Sequence, residues 1–190
     1  MGLDFYVNEH VLIPRQDTEI LVEEVLKELH DGMRVLDMCT GSGCILLSLL
    51  HYSNACEGLG VDLSAEALEV AGRNVLKVLT PEKAEHAHFL QSDLFEKVEG
   101  KFEIIVSNPP YKKPDSGEMD KNETRAVSKY ELKLTLDELI ENARRLLKFR
   151  GKFYMVHRAD RMAECIYKLK QNNIEPKVMT LVYPKAEKSP

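Results

Sequence analysis

Apolar positions along this chain alternate between short β-type runs and longer helical ones, and the alternation sets the fold to expect. From Asp17 the residues Ile20, Leu21, Val25, Leu26 and Leu29 recur at helical spacing behind the acidic Asp17 and Glu19. Ahead of them, residues 5–7 and 11–13 read as short extended pieces around the polar Asn8, Glu9 and His10, ending at Pro14, so residues 1–16 predict a small hairpin or arm. Residues 34–37 predict a strand, followed by a glycine turn and an apolar helix over 45–51. A second strand over 57–62 leads to Ser64, the expected N-cap of a helix carrying Ala67, Leu68, Ala71 and Val75 on one face. Strands over 88–91 and 103–107, a helix over 134–148, a strand over 152–157, a helix over 161–172 and a last strand over 178–183 complete the pattern. Strands joined by helices in this order predict a doubly wound, mostly parallel α/β sheet, built as one domain from residue 17 to residue 190.

Composition adds little to that picture until charge is placed along it. The net charge of -5 divides into 8 basic against 19 acidic residues over 1–111, and 18 against 12 over 112–190. A basic second part suits either a polyanionic partner such as RNA or a set of solvated helix faces with lysines near their C-termini. The apolar run over residues 44–50 is far short of the roughly 20 residues that span a bilayer, and no charged-then-apolar leader opens the chain. A soluble, cytoplasmic protein without a membrane partner is therefore expected. Cys39, Cys44, Cys56 and Cys165 show no paired spacing, which predicts reduced, partly buried thiols and no metal site.

Candidate chemistry gathers at the ends of the expected strands. Asp37-Met38-Cys39-Thr40-Gly41-Ser42-Gly43 lies directly between a strand and a helix, where glycines let backbone approach a ligand and the amides at the helix start can hold a polar group. Alone, such a turn fits any tight strand-to-helix connection. Asp62 ends the next strand, nineteen residues after Gly43, where a carboxylate can accept both hydroxyls of a ribose. Asp93 follows the third strand and suits either an adenine amino group or a local cap. Asn108-Pro109-Pro110-Tyr111 follows the apolar run Ile104, Ile105 and Val106. Two consecutive prolines cannot continue a central strand, so this segment leaves the sheet at its carboxyl edge, where ligands bind. There an Asn carbonyl and the Pro109 carbonyl can accept both hydrogens of a planar NH2 group while Tyr111 stacks on its π-system.

With these residues in register, the chain resembles the class I methyltransferases that carry an (Asp/Asn)-Pro-Pro-(Tyr/Phe) signature and act on amide or base nitrogens. Residues 5–111 are similar to the release-factor glutamine methyltransferases, the HemK or PrmC family, through Phe5-Tyr6-Val7, the run from Val11 to Glu19 (VLIPRQDTE), the glycine turn, Ser92-Asp93-Leu94-Phe95 and Ser107 to Tyr111. Residues 112–190 instead resemble the adenine-N(6) methyltransferases of valine tRNA, through Ala126 to Glu131, Thr135 to Glu138, Val156-His157-Arg158, Ile174 to Lys177 and Val182 to Lys185. The chain reads as a mosaic with its seam near residue 111, as a fragment, a natural hybrid or an engineered recombinant would.

What the resemblance implies is a Rossmann-like methyltransferase sheet lacking its last strand and using S-adenosyl-L-methionine, which leaves as S-adenosyl-L-homocysteine. It assigns the cofactor to Asp37, Thr40, Gly41, Gly43, Asp62, Leu63, Asp93, Leu94 and Asn108, and catalysis to Asn108, Pro109, Pro110 and Tyr111. Methylation of glutamine in a peptide chain release factor is the expected activity; tRNA adenine methylation and cofactor binding without turnover are the alternatives. A dehydrogenase shares the glycine turn, but nothing else in the chain suggests hydride transfer.

Overall fold

The computed structural model describes residues 2–54, 56–93, 95–109 and 134–183. Five strands, β1 (Arg34–Met38), β2 (Glu57–Asp62), β3 (Ala87–Gln91), β4 (Phe102–Ser107) and β5 (Leu147–Met155), form one sheet in the order β3-β2-β1-β4-β5, with every pairing parallel. The helices are α1 (Gln16–Leu26), α2 (Cys44–Tyr52), α3 (Ala65–Val78), a single turn α4 (Pro81–Ala84), α5 (Leu136–Leu146) and α6 (Met162–Gln171). This is the doubly wound sheet that the strand and helix rhythm predicts.

Period-two alternation divides the core between the two faces. Val35, Ile104 and Val106 pack with Leu21, Val22 and Val25 of α1 and with Ile45, Leu46 and Leu49 of α2. Leu36, Met38 and Ile105 point the other way, onto Leu139, Ala143 and Leu146 of α5. A strand covered on both faces needs apolar residues at successive positions, which is why β4 carries the continuous run Ile104, Ile105 and Val106. Gly58 and Gly60 let α2 and the glycine turn close down on β2: an added Cβ would lie 2.8 Å from Leu46 Cδ1 at Gly58, and at Gly60 2.7 Å from the Phe89 ring and 2.9 Å from Thr40 Oγ1.

Helix starts follow local chemistry. Ser64 accepts from the Ala67 amide at 3.1 Å, as expected of its N-cap position. Thr135 caps α5 through a reciprocal box with Glu138, so that helix begins at Leu136.

Several expected elements differ. No ladder joins residues 5–7 to 11–13; the arm turns instead through Asn8, which accepts from the His10 amide at its side chain (3.0 Å) and from the Val11 amide at its carbonyl (3.3 Å). The helix expected to reach residue 148 stops at Leu146, and β5 starts at Leu147, five residues before its predicted position. Leu146 and Leu147 are both buried, a pair that fits helix and strand equally, and a bulge in the pairing with Phe102 and Ile104 absorbs the left-handed Arg150 at φ 63°. Residues 178–183 form no strand. Val178, Met179, Leu181 and Tyr183 stand exposed, and β-type side chains make no strand without a neighbour to complete the hydrogen-bond ladder. Among the described residues no helix is long and apolar enough to cross a membrane.

Candidate active site

Strand order reverses between β1 and β4, because the chain winds outward through β2 and β3 on one side and through β5 on the other. Loops leaving the carboxyl ends of these strands part at that point and open a crevice, the usual ligand position in such sheets. A cavity of about 480 Å³ lies there, within the range of small-molecule sites. Its walls bring together Thr40, Gly41 and Ser42 of the glycine turn, Asp62 and Leu63 after β2, Asp93 after β3, and Asn108 and Pro109 after β4.

The turn is held by carboxylates from below and from the side. Gly41 at φ 54° and Gly43 at φ 77° take the left-handed conformation, and an added Cβ on Gly43 would sit 3.1 Å from Leu47 Cδ1 and 3.2 Å from Ala71 Cβ. Cys39 shares that conformation at φ 65°, an uncommon cost for a residue with a side chain. Gly43 has no side chain with which to cap α2. Asp37, fully buried in β1, supplies the acceptor: its Oδ2 takes the Leu46 amide at 3.3 Å and the Thr40 hydroxyl at 2.8 Å. Oδ1 of Asp37 is buried without a hydrogen-bond partner among the described residues. Burial pushes this carboxyl up to about 7, against the opposing hydrogen bonds from Thr40 and Leu46. Asp37 therefore sits behind the turn and is not among the residues that line the cavity.

Asp62 has both oxygens engaged. Oδ2 accepts the Gly41 amide at 2.9 Å and Oδ1 the Ser64 amide at 3.0 Å, so one side chain joins the glycine turn to the start of α3. Burial raises its pKa despite these amides. Each oxygen keeps a second lone pair for a vicinal diol. Leu63 is fixed through its carbonyl, which accepts from Gln91 Nε2 at 3.1 Å. The loop after β3 is anchored from α5, where Arg145 donates to the carbonyls of Phe95 (2.9 Å) and Val98 (3.4 Å). Leu94, Pro110 and Tyr111 lie outside the described residues.

Asn108 leaves β4 beside α1. Its Nδ2 donates to Thr18 Oγ1 at 3.0 Å, while the preceding Ser107 hydroxyl donates to the Met38 carbonyl at 2.8 Å and locks β4 to β1. Val156 donates its amide to the Ser107 carbonyl at 3.1 Å, which sets His157 at the end of β5 as Asn108 is set at the end of β4. His157 also lines the cavity. Its Nδ1 accepts from the Arg158 amide at 2.9 Å, which places any single ring proton on Nε2, and burial followed by the nearby Arg161 lowers its pKa. Sequence reasoning gave no role to Thr18, Asn74 or His157. His157 had a usable signal, its position at a strand's carboxyl end; the other two are visible only as contacts.

All four cysteines are free, with Cys56 and Cys165 buried and Cys39 and Cys44 partly so at the cavity wall. Burial pushes the Cys39 thiol well up and that of Cys44 to about 12, so neither is an activated nucleophile. Among the described residues no group of three His, Cys, Asp or Glu side chains is placed to hold a metal ion.

The chain is similar to several known methyltransferases. The release factor glutamine methyltransferase of Leptospira interrogans is 50% identical over 112 residues, 56% of this chain and 38% of the relative. A ribosomal protein uL3 glutamine methyltransferase of Neisseria meningitidis is 39% identical over 127 residues, 61% of this chain and 39% of the relative. The chain thus spans about two fifths of the length of these curated relatives. The fold is shared with the precorrin-6y C5,15-methyltransferase of Geobacter metallireducens, at a TM-score of 0.63, 13% identity, and coverage of 88% of this chain and 76% of that one. The profile of the methyltransferase small domain matches residues 15–178, and the chain belongs to that family.

Proposed function

We propose that this chain is the S-adenosyl-L-methionine-dependent catalytic domain of a protein-glutamine N-methyltransferase, acting on the side-chain amide of a glutamine in a loop of a peptide chain release factor. The observation that carries the reading is the meeting of Asn108 with the Asp62-braced glycine turn in one cavity at the β1/β4 switch point. Relatives at 39–50% identity named for glutamine methylation point the same way.

The residues present fit the cofactor. Left-handed Gly41 brings backbone to the cavity wall, left-handed Gly43 tightens the turn behind it, and Asp62 faces the cavity with lone pairs for a ribose. Asp93, also on the cavity wall, suits the adenine amino group. When bound, the cofactor supplies a methyl group activated by its sulfonium.

An amide nitrogen is a poor nucleophile because its lone pair is delocalised into the carbonyl. Asn108 Oδ1 and the Pro109 carbonyl accept the two hydrogens of the substrate NH2, favour its pyramidal form and aim the lone pair along the line of displacement. Orientation and fixed dipoles then carry the acceleration, without a strong base.

Adenine in tRNA is the second reading, favoured by the excess of 18 basic over 12 acidic residues in 112–190. Purified chain incubated with labelled cofactor and either a release factor or unmodified tRNA separates the two. Label in the release factor, lost when its loop glutamine is replaced, is the expected result.

A further inference from the structure

The run from Pro14 to Glu19 precedes the cofactor turn in the chain, yet its Thr18 touches the far end of the site. Thr18 lies in the first turn of α1, buried at 4% exposure, ninety residues from Asn108. Its hydroxyl donates to Asp17 Oδ1 at 3.2 Å and accepts from Asn108 Nδ2 at 3.0 Å. A hydroxyl carries one proton, and a carboxylate offers none in return. With that proton committed to Asp17, the oxygen turned toward Asn108 is an acceptor, and only the NH2 end of the asparagine amide can meet it.

We propose that Thr18 is a positioning residue that fixes the flip of the Asn108 amide, so that Oδ1 is the end turned away from α1. This rests on the reading of Asn108 as the acceptor of the substrate NH2. An amide is nearly symmetric in shape, and packing alone does not decide which end faces which way. Chemistry does decide it: a flipped Asn108 would set its oxygen against the Thr18 oxygen with no proton between them, and would offer an NH2 group to a substrate NH2. The pair Asp17 and Thr18 thereby gives direction to the amide at the end of β4. Pro14 to Glu19 then belongs to the catalytic apparatus through Asn108, as well as forming the start of α1.

The test uses T18V, which keeps the shape and removes the hydroxyl, T18S, which keeps the hydroxyl, and N108A as reference. T18V should lower the single-turnover rate of methyl transfer to a glutamine substrate about tenfold or more, the scale of one misdirected hydrogen bond, with cofactor affinity by calorimetry and substrate KM within about twofold of wild type. T18S should restore the rate. A merely structural Thr18 would move melting temperature and all binding constants together, and serine would not selectively rescue turnover.

The side-chain NH2 signals of Asn108, assigned by their loss in N108A, report the flip in the wild-type protein without any substrate. Cross-relaxation between these protons and Thr18 in wild type, with slowed exchange that is lost in T18V and kept in T18S, is the expected pattern. Its absence in wild type, or T18V with wild-type turnover and unchanged NH2 signals, overturns the proposal. A wild-type chain that methylates no glutamine defeats the functional reading, and the NH2 signals still decide the role of Thr18.

Discussion

Asn74 and Tyr6 exchange a reciprocal pair of hydrogen bonds across 68 residues: the Tyr6 amide donates to Asn74 Oδ1 at 2.7 Å, and Asn74 Nδ2 donates to the Tyr6 carbonyl at 3.0 Å. The same Nδ2 reaches the Ser42 carbonyl at 2.8 Å, so one fully buried amide on α3 ties the arm to the glycine turn. Arg73 lies 5.4 Å from the centre of the Tyr6 ring on the same side. This clamp holds the segment from His10 to Arg15 along one wall of the cavity.

Replacement of Asn74 by leucine, of similar volume, removes three hydrogen bonds and leaves two carbonyls and an amide to find water. A loss of about 2 kcal/mol is expected, the scale of buried polar groups left unpaired. Urea unfolding measures it, and limited proteolysis should show earlier cleavage within residues 2–15. A resistant arm in the leucine variant would mean that other contacts hold it.

Asp62→Ala removes the proposed diol acceptor and also frees the Gly41 and Ser64 amides. Cofactor binding should weaken by about 1–3 kcal/mol, as for hydrogen bonds to a charged group. Calorimetry checks this, and wild-type affinity in the variant would remove Asp62 from the cofactor site.

Asp37 makes stability depend on pH in the sense opposite to that of a salt-bridged carboxylate. Burial raises its pKa to about 7 from an ordinary 3.8, so between those values the folded protein holds a proton that the unfolded chain has released. The stabilisation is fully present below about pH 4 and is lost as pH rises through 7, at about 1.4 kcal/mol for each unit of displacement. Asp37→Asn keeps an oxygen for Thr40 and Leu46 and sets an NH2 where Oδ1 is unpartnered. Urea midpoints at pH 5 and pH 8 should differ less in the variant than in wild type. An equal difference in both would place the titration elsewhere.

Legibility in the sequence followed the range of the forces involved. Burial on both faces writes itself into adjacent apolar residues, so β4 with Ile104, Ile105 and Val106 was plain, and the proline pair after it marked the edge of the sheet. Caps are local, and Ser64 was read correctly. Asp62 at a strand end was legible, but its grip on the Gly41 amide was not, because that depends on how the turn folds back over β2. Asn74 was silent, and Thr18 showed only as one position of the run from Val11 to Glu19, for the same reason: each acts through partners 68 to 90 residues away, and no local pattern distinguishes an asparagine that clamps from one that faces water. The predicted strand over 178–183 failed because its apolar residues specify a partner that the described chain does not supply.

On the proposed reading, substrate choice is set by what flanks Asn108, since its amide suits any planar NH2 group. On one side stands the arm, clamped through Tyr6 and Asn74, with Leu12 and Ile13 exposed at the cavity wall as an apolar surface for a protein loop. Beyond it along the chain come residues 112–190, with 18 basic against 12 acidic residues, a charge that suits phosphates. Each makes a different demand on salt. Apolar contact with a loop releases no counterions, so transfer to a release factor should change by less than about threefold between roughly 50 and 200 mM salt. Binding of RNA through several phosphates should weaken about tenfold or more over that range. The arm is expected to govern, because its clamp reaches the glycine turn at Ser42 while its helix reaches Asn108 at Thr18. Initial rates with release factor and with unmodified tRNA across the salt series decide the matter: tight, salt-sensitive tRNA binding with no transfer to protein would assign substrate choice to residues beyond 111.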